Sequence, residues 1–133
     1  MKSVEACIEG YLEQVEKRKN VDYADKASVR KFNAAYDKCF KYAKYIDEHY
    51  PEQLDLLVAL LEHPDTDVVR HCAPMLFRLN NTTKEHKQKA IEASKKLIQH
   101  PQVDDVNKFA IAHNVAKWEE ELYDQSTSDK SVD

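Results

Sequence analysis

The chain has 133 residues and a formal charge of −4, from 20 Lys and Arg against 24 Asp and Glu. That length makes one domain, able to bury roughly two-thirds of the surface its unfolded chain exposes, and the acidic balance argues against a dedicated nucleic-acid binder. One glycine, Gly10, and four prolines leave little turn chemistry for a sheet and exclude the glycine-rich loops that cradle phosphates.

Apolar residues recur at helical spacing and no segment sustains two-residue alternation, so the expected class is all-α, with about six helices in antiparallel hairpins. A first helix is predicted from about Ser3 to Lys19. Ser3 can cap it, and Val4, Cys7, Ile8, Tyr11 and Val15 form its stripe. Lys17, Arg18 and Lys19 place positive charge at its end, where the macrodipole favours it. Glu5, Glu9, Glu13 and Glu16 line the opposite side, either as a solvated face or as an acidic ridge for a basic partner. Glu5 and Glu9 also stand where a signal peptide needs an apolar run, and no stretch approaches the roughly 20 apolar residues of a membrane span. The expected location is the cytoplasm.

A loop over 20–25 leads into a long helix from about Lys26 to His49, with a core stripe of Val29, Phe32, Tyr36, Cys39 and Phe40, Ala43, Ile46 and Tyr50. Its other face carries Lys31, Ala34, Lys38, Lys41, Tyr42, Tyr45 and His49. Tyr45 lies about 180° from the core stripe by helical spacing. Tyrosines interleaved with lysines have the composition of a binding surface, although a helix packed on both sides would show the same pattern.

Pro51 suits the first position of the next helix. There Leu54, Leu57, Val58 and Leu61 share a face with Leu56 and Leu60 on a flank, so neighbours must cover it. The residue before Pro64 avoids the α region, and Asp65, Thr66 or Asp67 can cap a following helix with the stripe Val68, Val69, Cys72, Ala73, Leu76 and Leu79. Pro74 is expected to kink that helix. After a loop over 80–83, Thr82-x-x-Glu85 has capping-box spacing, and Ala90, Ile91, Ser94, Leu97 and Ile98 form a fifth stripe. A last helix, capped by Asp104 or Asp105, is expected to end near Tyr123. Ile111, Val115, Trp118 and Leu122 form one row and Phe109, Ala112 and Ala116 a second. Core packing is the expectation for the second row, with a partner surface as the alternative. Residues 124–133 have no apolar anchor but Val132 and read as a disordered tail after a single 1–123 domain. Cys7, Cys39 and Cys72 fall on or beside apolar stripes and read as small buried thiols in a reducing compartment.

A shift of 37 residues aligns Leu60-Leu61-x-His63-Pro64 with Leu97-Ile98-x-His100-Pro101, and Asp67, Val69 and Ala73 with Asp104, Val106 and Ala110. A period of this length, each unit a helical hairpin, marks an α-solenoid. Leu57-x-x-Leu60-Leu61-x-x-Pro64-Asp65-x-Asp67-Val68, followed by Cys72, Ala73 and Leu76, resembles a HEAT repeat. Val69 departs from that pattern, since arginine is usual at its position and Arg70 comes one place late. The layout is similar to small, single-domain bacterial HEAT-like proteins, with Lys31-Phe32-Asn33 in the opening helix pair. The resemblance implies a short, right-handed, armadillo-like solenoid and a binding scaffold.

The histidines His49, His63, His71, His86, His100 and His113 show neither an HExxH pair nor zinc-finger spacing, so no metal or cofactor is expected. His63 and His100 precede prolines at helix ends, where a cation is favourable, and read as structural caps. His71 beside Cys72 is a weak nucleophile–base pair, since helix neighbours point about 100° apart.

The expected function is non-catalytic protein binding, through Lys38, Tyr42, Tyr45 and His49 or through Glu5, Glu9 and Glu13. A monomer is the simplest state. Among HEAT-like relatives, some are regarded as immunity proteins that neutralise toxins, and that is the first alternative. Others are DNA glycosylases, but those have a longer solenoid and a basic concave face that this chain does not plainly offer. Leu57→Ala should cost about 2–5 kcal/mol in chemical denaturation, as buried leucine truncations do, and a loss under about 1 kcal/mol would put the central hairpin at the surface.

Overall fold

The computed structural model describes the backbone of residues 2–131 and the side chains of residues 2–123. Its six helices are α1 (Val4–Lys17), α2 (Lys26–His49), α3 (Leu54–Val58), α4 (Thr66–Arg78), α5 (Lys84–Ile98) and α6 (Asp105–Ser131). No strand occurs among the described residues. Helix α1 packs along α2, α4 along α5, and α5 along α6, while α1 also meets α4 and α2 meets α3. The buried side chains of all six helices form one continuous core.

Ser3 caps α1 as its sequence suggests, its hydroxyl accepting from the Ala6 N–H at 3.1 Å. The helix stops at Lys17 because the Arg18 and Lys19 N–H groups turn to Val15 and Glu16 and Asn20 adopts a left-handed φ of 62°, a conformation asparagine tolerates. Gly10 faces α2. A Cβ there would fall 2.4 Å from the Tyr42 ring, so the lone glycine sets how closely the two helices approach.

Asp25 caps α2, and the buried line along this helix is Ala35, Cys39, Ala43, Ile46 and Asp47. Tyr36 and Phe40 flank it on one side and Tyr42 and Tyr45 on the other, all partly buried against the core. The small residues let neighbouring helices close in, and the aromatics seal the two edges.

The segment after Pro51 is not the single helix its spacing predicts. A 3₁₀ turn over Pro51–Gln53 precedes α3, and a second over Ala59–Glu62 follows it. In a 3₁₀ turn residues three apart eclipse, which sets Leu60 over Leu57 and Leu61 over Val58. Leu60 is therefore buried with them, while Leu56 stays 44% exposed.

His63 then extends the chain before Pro64, and its Nδ1 accepts from the Asp65 N–H at 3.0 Å. His100 repeats the arrangement 37 residues on, accepting from the Gln102 N–H at 3.1 Å. Both histidines cap the turn as acceptors, with the ring proton on Nε2, and not as cations at a helix end. The two hairpins then diverge by one cap. Asp65 accepts from the Asp67 N–H to start α4, whereas its equivalent Gln102 is a poor capping residue. Asp104 starts α6 instead, accepting from the Asn107 N–H at 2.8 Å.

The loop between α4 and α5 is held from beneath by Asp47, which is 1% exposed. Its carboxylate accepts from the Asn80 and Asn81 N–H groups, each at 2.9 Å, and the Asn81 amide donates back to the Asp47 carbonyl at 3.0 Å. With the Asn80 N–H turned to Asp47, the Leu76 carbonyl at the end of α4 takes the Thr82 hydroxyl at 2.8 Å. The capping box accordingly shifts one residue from the Thr82–Glu85 pairing to Thr83 and His86.

In α6, Ile111, Val115, Trp118 and Leu122 are buried. The second row is exposed instead of packed, with Phe109 at 79% and Ala112 and Ala116 also outside. No later helix among the described residues covers that side. The backbone of α6 runs to Ser131, past the end predicted at Tyr123. Side chains from 124 onward, and the backbone of 132 and 133, lie outside the described residues, so the expected 124–133 tail is described only as far as the α6 backbone reaches. Among the described residues no helix is long and apolar enough to cross a membrane.

Asp47→Asn keeps the shape but turns an amide N–H toward one of the two backbone donors. The expected cost is about 2–4 kcal/mol in urea unfolding, since hydrogen bonds to a charged acceptor are the stronger kind and a buried donor is left unmet. A loss under about 1 kcal/mol would mean that Asp47 does not hold this loop.

Candidate functional site: an arginine–histidine cleft and two outer faces

On the outside of α2, Lys38, Tyr42 and Tyr45 gather with Lys2, Gln14 and Lys41 around a shallow depression. His49 joins at one end, its ring 4.3 Å from that of Tyr45. The tyrosines are not free. The Tyr45 hydroxyl accepts from the Lys2 N–H at 3.1 Å, and the Tyr50 hydroxyl donates to the Lys2 carbonyl at 2.8 Å. The Lys2 ammonium sits 4.8 Å from the Tyr42 ring centroid. Tyr42 and Tyr45 thus hold the start of α1, leaving Lys38 and His49 as the exposed members of the set. Glu5, Glu9 and Glu13 form an exposed row on α1, and none of them lines the depression. Glu13 pairs with Lys17 at 3.7 Å; Glu5 and Glu9 meet no cation among the described residues.

A third feature escapes the sequence patterns. A cleft of about 680 Å³ lies where the end of α1, the start of α2, and helices α4 and α6 converge. That volume is in the range of small-ligand sites. Equivalent positions of the two hairpins face it together: Asp67 with Asp104, and Arg70 with Asn107. Arg70 joins the pair directly, donating to the Asn107 side-chain oxygen at 3.1 Å and to Asp67 at 3.0 Å. Phe77 of α4 stacks on Trp118 of α6 with centroids 4.5 Å apart, fixing the two helices beside the cleft.

The three basic residues at the end of α1 have three different roles. Lys17 pairs along the helix with Glu13. Lys19 reaches across to Asp65 at 2.6 Å and also meets Glu16 at 3.2 Å. Burial pushes the Asp65 pKa up, but the Lys19 ammonium and the Asp67 N–H outweigh it and hold the carboxyl below its usual range. Arg18 turns inward, its guanidinium 3.9 Å from the Phe32 centroid and 4.9 Å from that of Tyr36. Burial lowers its pKa, and its Nε is buried with no hydrogen-bond partner among the described residues.

His71, 8% exposed, lines the same cleft. Its Nδ1 lies 2.7 Å from the Asp67 carbonyl, which can only accept, so Nδ1 carries the proton. Nε2 is buried and meets no partner among the described residues. Burial, followed by the nearby Arg18 charge, lowers the His71 pKa to about 4. Tyr11 on α1 is wholly buried, its hydroxyl also unpartnered among the described residues.

Cys7, Cys39 and Cys72 are free and buried. Burial raises the Cys39 pKa to about 11 and that of Cys72 to about 12. The Cys72 thiol donates to the Leu57 carbonyl at 3.5 Å, so His71 and Cys72 do not form a nucleophile–base pair. Among the described residues no three His, Cys, Asp or Glu side chains gather as metal ligands would.

Arg18 is hidden in the sequence because it sits inside a basic run that ends a helix, and His71 because it lies beside the expected stripe of α4. The one trace is the Phe32–Tyr36 pair, one turn apart, which makes a flat surface for a guanidinium. No protein-family model matches the chain, and no curated protein or solved structure matches it.

Because the folded pKa of His71 lies below the 6.5 of an exposed ring, the unfolded chain binds the extra proton first. Stability is full above about pH 6.5 and falls as the pH drops toward 4. Wild type should lose about 2 kcal/mol more than His71→Gln between pH 6.5 and 5, one proton's worth over that span. Parallel pH profiles of the melting temperature would show that His71 accepts its proton freely in the folded state.

Proposed function

We propose that the chain is a cytoplasmic, non-catalytic protein-binding scaffold, its hairpins stacked as a short, right-handed, HEAT-like solenoid. The observation that carries this reading is the meeting of equivalent positions, Arg70 with Asn107, on one cleft. Successive units of a solenoid turn the same helix toward one side, and that side forms its binding surface. The matching His63 and His100 turns support the repeat relationship. The depression on α2 supplies a second surface, where the exposed Lys38 and His49 border the half-buried Tyr42 and Tyr45. Basic and aromatic side chains there suit an acidic partner segment.

One observation favours the narrower reading of an immunity protein. Glu5 and Glu9 stand exposed on α1 with no cation partner among the described residues, and with Glu13 they form a row that would complement a basic toxin.

Affinity capture from the host, with the tag at the C-terminus and Lys2 left undisturbed, tests both readings. Lys38→Glu with His49→Glu alters the α2 surface, and Glu5→Lys with Glu9→Lys alters the ridge. All four side chains are exposed, so the folds of these variants should be kept. The scaffold reading expects one stoichiometric protein, lost in the first variant. Loss of a basic toxin in the second alone would favour immunity. Recovery of nucleic acid without protein would overturn both.

A further inference from the structure

We propose that the cleft between α1, α4 and α6 is an oxyanion-binding site, in which Arg18 and His71 hold one carboxylate or phosphoryl group of a small ligand. The inference stands apart from the scaffold reading, because it requires no protein partner.

The other charges of the cleft are already engaged. Lys19 is paired with Asp65 and Glu16, Arg70 with Asp67 and Asn107, and Asp104 accepts from both the backbone and the side chain of Asn107. Among the described residues Arg18 is the cation of the cleft left without an acidic partner. Its guanidinium lies over two aromatic rings, which hold the plane and leave the N–H edge for in-plane bonding, the geometry suited to a carboxylate or phosphate. A buried N–H donor without an acceptor is rare in folded proteins, and Arg18 Nε is one. His71 Nε2 is a second buried atom without a partner, in the same cleft and close enough for the Arg18 charge to act on the ring. The Arg18 guanidinium with its unpaired Nε–H, and the His71 ring beside it in the cleft lining, together define an anion subsite with one donor ready and one position awaiting a proton.

The tautomer sets how that subsite works. With Nδ1–H donated to the Asp67 carbonyl, Nε2 of the unliganded protein offers only a lone pair. A lone pair cannot bond a bare oxyanion, so the ligand either brings a proton or His71 gains one as it binds. The titratable and charged groups that line the cleft with His71 are Arg18 and Lys19 at the end of α1, Tyr23 in the loop, Tyr36 on α2, Asp67 and Arg70 on α4, and Asp104 ahead of α6. Of these, Arg18, Arg70 and Asp67 act on its ring. Burial and, after it, the Arg18 charge oppose the proton in the empty cleft, and an incoming anion offsets both by pairing with the imidazolium. The engaged Asp67 and Asp104 carboxylates remain on the walls and disfavour a polyanion such as nucleic acid. The rings of Tyr23, Phe32 and Trp118 leave an apolar wall for the body of the ligand.

Trp118 is the only tryptophan of the chain and lines the cleft, so its fluorescence reports occupancy. The purified chain is titrated with sulfate, which carries no proton of its own in this range, at ionic strength held constant with chloride. Saturable binding should tighten about tenfold for each pH unit lowered between 6.5 and 5, the signature of one proton taken up. Arg18→Gln should weaken it at least about tenfold, the usual scale for a lost charge-assisted hydrogen bond. His71→Gln should retain weak binding and lose the pH dependence. A parallel titration with acetate at pH 6.5 separates the two ligand types: tighter sulfate assigns a phosphoryl-like group, tighter acetate a carboxylate. The remote Lys89→Gln variant serves as a control, and unfolding curves confirm that every variant is folded. A response no greater than that of chloride, binding unchanged in folded Arg18→Gln, or a pH slope kept in His71→Gln would each overturn the proposal.

Discussion

Leu54, Leu57, Val58, Leu60 and Leu61 on one arm of the central hairpin, and Val68, Val69, Cys72, Met75 and Leu76 on the other, present apolar surface in more directions than one neighbour can cover. Burying each large side chain is worth about 1.5–3 kcal/mol, so this hairpin is stable only when enclosed. The pair α1–α2 closes one side and α5–α6 the other. The tightening of the first arm into 3₁₀ turns follows from the same demand. It swings Leu60 and Leu61 into line with Leu57 and Val58, at the expense of regular α-helical hydrogen bonding.

Enclosure on both sides also buries polar groups, and their fates differ. Asp47 has its carboxylate met by two backbone donors and works as an anchor, holding the α4–α5 loop to α2. Asp65 is met by Lys19 and by the start of α4. Arg18 Nε and His71 Nε2 remain unmet on the wall of a cleft. The same fold that meets the Asp47 carboxylate with two backbone donors thus leaves a buried donor and a buried ring nitrogen unpaired, both on residues that line one cleft.

The sequence match over a shift of 37 residues has a structural counterpart at the two turns. His63 and His100 close their turns by the same bond to a backbone N–H two residues on. Beyond the turn the units separate: Asp65 starts one helix and Asp104 the other, because Gln102 cannot replace the aspartate. Val69 is buried and Val106 exposed for a similar reason of position. The first of these helices has a hairpin on each side, whereas the second has described neighbours on one side only.

Helix periodicity by itself determined the class, the six helices, most of the caps and the buried rows of α1, α4, α5 and α6. These depend on side chains three and four residues apart, and that spacing is local. Ser3, Asp65 and Leu57 hold the positions their neighbours in sequence imply. Tertiary structure alone decided which faces remain open: Tyr42 and Tyr45 became braces for the start of α1, and Phe109 stayed outside. It also decided the chemistry of the cleft. Arg18 ends one helix and His71 lies inside another, 53 residues later. Neither carries a local pattern, because burial and charge depend on what the remainder of the chain brings alongside.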